Sequence, residues 1–304
     1  AASAAAMLVV LLSLRAGYSQ NILMLLGHVA ALNRASLAMH CSRLLLVALV
    51  LLAPLGMWAC MALFLATAAS EVVAIRFQQR AVKANDIRPW RLDRQERNDV
   101  QKETLRIVRP LAPSAIFFQV QSVITVLIVS LVGTSDMMAE VGALGGLAMI
   151  LVILDRVTNI VLFPAIARAA AGARFARKLL LVHAMYLGVM LLVFLSALAL
   201  PHYWMLLLGR QYEAQAPYLW MAVGASVLAN AAGFAFRTLA GRGATTRQWI
   251  TIPLVIVVQV AFVATVGVGS LPQVLAFNLA TSFVHFAFQY VLVLARIPQW
   301  RAAG

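Results

Sequence analysis

Two ionisable side chains stand side by side deep in an apolar run, Asp155 and Arg156 near the middle of residues 141–167. On insertion scales a charge at the centre of a membrane helix costs about 2.5–3.5 kcal/mol, so each must be compensated or used. Neighbours on a helix point about 100° apart, so these two need not pair with each other. An interhelical charge pair and a place on the wall of an aqueous cavity both satisfy them. Asn159 lies three or four positions further along and suits the same cavity.

Two further segments carry polar residues at helical spacing. Ser226, Asn230, Gly233 and Arg237 follow i, i+4, i+7 and i+11, as do Asn278, Ser282, His285 and Gln289. Such a stripe gives an apolar helix one wet or hydrogen-bonding face, either as glue between helices or as a cavity wall. His285 suits a packed hydrogen bond and also the carriage of a proton. Gln121 is a further cavity candidate, and Gly142 with Gly146 reads as a close helix contact. Towards the front, a hairpin folded near residue 55 brings Glu71 within a turn of His40 and Arg43, which predicts a buried Glu71–Arg43 bridge. Cys41 and Cys60 have neither metal-ligand nor disulfide-framework spacing and read as small buried residues. No phosphate-binding P-loop, HExxH or GxSxG occurs, so no catalytic residue, metal or cofactor is expected.

The elements that must position these residues follow from composition. Of 304 residues, 63% are hydrophobic and 11% charged, and the mean hydropathy is +0.91. A soluble domain carries about 25% charged residues. The chain therefore reads as an all-α integral membrane protein, its solvent the lipid. Apolar segments fall near 37–53, 57–75, 112–132, 141–167, 179–200, 217–236, 249–267 and 273–295. Most approach the ~20 residues that cross a bilayer core. A shorter candidate covers 17–33, and 1–14 resembles the end of another span, as if the N-terminus were cut within a longer chain.

The net charge of +14 is not a nucleic-acid signature here, because its placement follows topology. Of the 24 Lys and Arg, 21 fall in alternate loops or at their edges, against Arg15 and Arg210 on the other side and Arg156 within a span. The positive-inside rule makes the rich side cytoplasmic. The longest polar stretch, 76–109, holds ten basic and five acidic residues and reads as a basic cytoplasmic linker, a solvated helical connector near anionic headgroups. It divides a front part, 1–75, from a back part, 110–304, that carries six apolar segments. A weak internal echo pairs LNRAS at 32–36 with LAGRGA at 239–244, each an Arg just past a helix end.

Several segments together resemble a known family. Pro110 and Pro113 open a helix after the basic linker, VLFPAIA stands at 161–167, LLGRQYEAQAPYL at 207–219 and LAGRGATTR at 239–247. In order and topology they are similar to O-antigen-type polysaccharide flippases of the multidrug/oligosaccharidyl-lipid/polysaccharide superfamily, over about 18–80 and 105–296. The resemblance implies a two-lobed helical transporter in the cell inner membrane. The chain would supply a complete six-helix C-terminal lobe and about the last three helices of the N-terminal lobe. The implied activity is translocation of a polyprenyl-diphosphate-linked oligosaccharide by alternating access, with membrane lipids and polysaccharide assembly proteins as further partners and no nucleic acid. Arg156 and Arg237 would then hold the diphosphate, with Asp155, Asn159, Asn230, Gln121, Asn278 and His285 as further cavity residues. A multidrug or organic-cation exporter of the same superfamily would favour acidic cavity residues, of which Asp155 and Glu71 are available. A membrane-embedded polymerase or ligase generally needs a larger outside loop or an acid cluster, and the longest outside loop carries one acid, Glu213.

Overall fold

The computed structural model describes residues 2–26, 28–54, 56–85, 93–132, 134–147, 151, 155, 158, 162, 166 and 169–302. Among these residues there is no strand, and seven helices are long and apolar enough to cross a membrane. Side chains such as Leu52, Leu131, Leu192 and Tyr203 stand on the surface. Water would not tolerate so much exposed apolar area, and lipid does. The fold is that of a multi-pass helical membrane protein.

The chain forms two compact units, Ala1–Asp93 and Arg94–Gly304. The first contains α1 (Ala2–Leu25), α2 (Val29–Leu52) and α3 (Ala59–Ala84). Helix α3 packs on both others through small side chains, with Ala66, Ala68, Ser70 and Ala74 all buried. Small residues let helix backbones approach where lipid gives no hydrophobic drive for association. The Arg43–Glu71 bridge forms across α2 and α3 at 3.5 Å, with Glu71 nearly buried and Arg43 partly exposed.

Residues 1–33 differ from the expectation of two span fragments. Helix α1 is continuous from Ala2 to Leu25, and α2 already begins at Val29. Arg15 is thus interior to α1 and not in an outside loop, and Arg34 lies in the second turn of α2 and not past a helix end. Polar side chains do not stop a helix; a lost donor or a left-handed residue does. Nothing in Arg15–Gln20 supplies either, and Ser19 donates back to the Arg15 carbonyl. The echo between 32–36 and 239–244 falls with Arg34. Cys41 is exposed and not buried, since an apolar thiol facing lipid gains little from burial; the Cys60 side chain lies outside the described residues.

The second unit holds α4 (Arg94–Val132), α5 (Ser135–Leu147), α6 (Ala173–Ala199), the short α7 (Pro201–Leu206), α8 (Leu219–Gly241), α9 (Thr251–Thr265) and α10 (Leu271–Ala302). The expected 76–109 linker is not a separate element. Its start completes α3, its end is the first half of α4, and 86–92 lies outside the described residues. Pro110 and Pro113 therefore sit inside α4 and do not open it. The helix starts early because Glu96 suits its first turn and Glu103 bonds Arg106 at 2.8 Å. At 39 residues α4 is about 58 Å long, so it outruns a ~30 Å hydrocarbon core by its charged half. The expected outside connection 133–140 is mostly helix: Thr134 accepts a bond from the Met137 amide at 3.3 Å, capping α5.

Helices α8 and α10 pack along much of their length, α6 lies against α8, and α9 lies against α10. Helix α5 reaches both α8 and α10. Phe234, Leu219, Leu179, Met190 and Val274 fill the contact. The tightest approach is at Gly224, where an added Cβ would come within 3.1 Å of Phe194 and 3.3 Å of Leu279. Gly142 and Gly146, expected to mark a close contact, meet nothing within 4 Å. Their face of α5 is exposed, and the spacing of two small residues is not sufficient to bring a partner there.

Candidate functional site

The two polar stripes meet. A chamber of about 550 Å³ in the second unit is lined from α8 by Ser226 and Gly233 and from α10 by Asn278, Ser282 and His285. Helix α4 contributes Phe118 and Gln121, α5 contributes Val141 and Gly145, and α9 contributes Gln259. Small residues on α8 (Ala222, Ala225, Ala229) leave the room that a larger side chain would fill. No charged side chain is among the described residues that line the chamber.

The lining is chemically ordered. The His285 ring stacks on Phe118 with centroids 4.3 Å apart and planes 25° from parallel. On its far side His285 Nε2 meets the Gln289 amide at 3.4 Å. Gln289 is wholly buried and exchanges two hydrogen bonds with Gln248, at 3.1 and 2.8 Å. Among the described residues, two polar atoms of the lining are buried without a partner, Gln121 Oε1 and Thr281 Oγ1. In a low-dielectric interior such atoms each cost about 1–3 kcal/mol unless something occupies the space before them.

The other expected site residues divide. Asp155 is half-buried and accepts a charge-assisted hydrogen bond from Arg237 Nη2, a pair reaching across 82 residues. Asp155 thus takes part in a charge pair, one of the two roles open to it, with Arg237 of α8 as a partner. Arg237 Nε is buried without a partner. Asn230 is on the expected stripe but does not line the chamber; its amide donates to the Ser226 carbonyl one turn back, at 2.8 Å. Arg156 and Asn159 lie outside the described residues.

Sequence reasoning missed four features in and near this chamber. Phe118 gave no signal because an aromatic in an apolar run is ordinary. Gln259 sits alone in an apolar helix, and Gln248 and Gln289 are 41 residues apart. A second cluster, His183 with Tyr290 at 3.3 Å and Thr238 at 3.3 Å, ties α6, α10 and α8 together beneath Phe234.

The segment LAGRGATTR forms a helix stop with a clamp. Gly243 has φ of +68°, a left-handed conformation suited to glycine. The Ala244 amide donates to Leu239 O at 2.9 Å and the Gly243 amide to Ala240 O at 3.0 Å, closing α8. Arg242 then donates to the carbonyls of Ile166 and Ala169, at 2.7 and 2.6 Å, with its guanidinium 3.9 Å from the Phe175 ring centre. Burial pulls the Arg242 pKa below its ordinary value. In LLGRQYEAQAPYL, Gly209 likewise has a positive φ, +96°, and starts the tight turns of Arg210–Tyr218.

Fold and site together define a multi-pass helical membrane protein with a neutral polar chamber inside its second unit. Comparison with protein-family models, with curated proteins and with solved structures gives no match.

Proposed function

We propose that this protein moves a polyprenyl-diphosphate-linked oligosaccharide across the cytoplasmic membrane by alternating access, for surface polysaccharide assembly, with the basic end of α4 on the cytoplasmic side. The observation that supports this reading best is the convergence of two polar helix faces, from α8 and α10, on one chamber in an otherwise apolar body. A polar chamber in a membrane protein is costly unless a polar cargo uses it. The sequence resemblance supplies the class of cargo. Two acids that a cation exporter would draw on are already engaged by arginines, Glu71 by Arg43 and Asp155 by Arg237, which favours the oligosaccharide reading over organic-cation export.

Two measurements test it. Deleting the gene in its own host should abolish surface polysaccharide and accumulate lipid-linked oligosaccharide on the cytoplasmic side. Restoring it with Asn278→Leu and His285→Leu together should lower export at least about tenfold at normal membrane levels. Normal export in the deletion strain overturns the reading. For orientation, in a chain with Cys41 and Cys60 replaced by Ser, a membrane-impermeant thiol reagent applied outside should label Glu213→Cys and spare Lys102→Cys. The opposite pattern reverses the assignment of sides.

A further inference from the structure

We infer that the chamber is a binding site for the neutral, hydroxyl-bearing sugar rings of the cargo and not for its diphosphate; this rests on the transport reading and sharpens it. An anion buried between low-dielectric helices needs a cation, and a cation needs a carboxylate. No lining residue among those described is charged, and Arg237 is held by Asp155. An acyl chain would leave the amides and hydroxyls of the wall facing hydrocarbon. A polyol satisfies them, because each of its hydroxyls both donates and accepts.

Three features favour a sugar over water alone. Thr281 is only 5% exposed, and its hydroxyl, on the chamber wall, has no partner. Gln121 Oε1 is buried and unpartnered on another helix, so two elements present orphan groups to one space. The same wall carries the stacked Phe118–His285 pair, a plate suited to the C–H face of a pyranose ring, whose slightly positive hydrogens meet the negative face of an aromatic. The volume, about 550 Å³, lies within the ~300–1,000 Å³ of sites that take small ligands. Gly145 and Gly233 keep the walls apart.

The test uses the purified chain in phosphatidylcholine nanodiscs, which avoids sugar-headed detergents. Saturation-transfer NMR is recorded with methyl glycosides of glucose, galactose and N-acetylglucosamine. At least one glycoside should receive saturation through its ring C–H protons. Phe118→Ala and Gln121→Leu should each weaken that transfer about fivefold or more, the scale of one lost hydrogen bond or stacking contact. Phe118→Tyr, which keeps the plate, should retain it, and neither pyrophosphate nor tetraethylammonium should displace the sugar. Absence of transfer from all three glycosides overturns the inference. So does transfer indifferent to both Phe118→Ala and Gln121→Leu, or displacement by either ion. If Phe118→Ala fails to fold, Gln121→Leu, close in volume, decides alone. Transfer that behaves as expected in a protein whose deletion leaves export normal would keep the site and discard the flippase reading. Lost export on deletion without sugar transfer would do the reverse.

Discussion

The interiors of the two units treat polarity in opposite ways. In Ala1–Asp93, small residues let α3 close on its neighbours, and the charged pair Arg43–Glu71 lies within the packing. In Arg94–Gly304 the helices stand apart around a chamber walled by amides, hydroxyls and an aromatic plate, and the Arg237–Asp155 pair binds helices rather than lining the space. The two buried charge pairs fasten helices, one in each unit, whereas in the second unit part of the neutral polarity faces room. That division makes physical sense, because a paired charge is satisfied by one partner in one geometry. A neutral amide or hydroxyl can exchange partners with a passing ligand at small net cost.

The largest effects should come from breaking the fastenings. Asp155→Ala or Arg237→Ala strands a charge between helices, which costs roughly 3–5 kcal/mol in other proteins. Either change should sharply reduce yield and melting temperature, and Asp155→Asn with Arg237→Gln should recover much of the loss. The same cycle at Arg43 and Glu71 should behave alike but more mildly, since Arg43 is 37% exposed and water or headgroups can reach it. Additive losses in either double variant would mean the pair does not fasten, and the contrast between units would collapse.

An intermediate effect is expected at the clamp. Arg242→Lys keeps the charge but cannot present the planar fork that reaches two carbonyls while lying over Phe175. A loss of about 1–3 kcal/mol should appear as a lower thermal midpoint of the purified protein. A midpoint equal to that of the parent would reduce Arg242 to a topological anchor.

The smallest effects compare glycines. Gly224→Ala forces Phe194 or Leu279 aside and should destabilise by about 1–3 kcal/mol. Gly142→Ala meets open space inside a helix and should be neutral or stabilising by up to about 1 kcal/mol. Thermal midpoints of the two variants check this directly, and equal losses would place a partner against Gly142 after all.

What the sequence revealed and what it hid separate along the range of the interactions involved. The stripes at 226–237 and 278–289 were legible because helical period is local, and five of their members line one chamber: Ser226, Gly233, Asn278, Ser282 and His285. The Arg43–Glu71 bridge was legible because a tight hairpin fixes the register of its two arms. Asp155 with Arg237, and Gln248 with Gln289, were not, since nothing in either partner's neighbourhood names the other. Helix ends were misread where polarity was taken for a stop, at Arg34, and where Pro110 and Pro113 were taken for a helix start. They were read well at 239–244, where a glycine in the left-handed region ends α8. Asn230 shows the limit of the periodic argument: it has the right angle on the helix, yet its amide turns back to the Ser226 carbonyl.

The reciprocal amide pair of Gln248 and Gln289 is also a mechanical stop. Each side chain donates to and accepts from the other, so the pair is satisfied at one offset between the turn before α9 and the middle of α10. A one-residue screw of α10, about 1.5 Å along and about 100° around its axis, breaks both bonds inside a dry interior and turns His285 away from Phe118. A rearrangement of the chamber that keeps both bonds moves the middle of α10 and the Gln248 turn together.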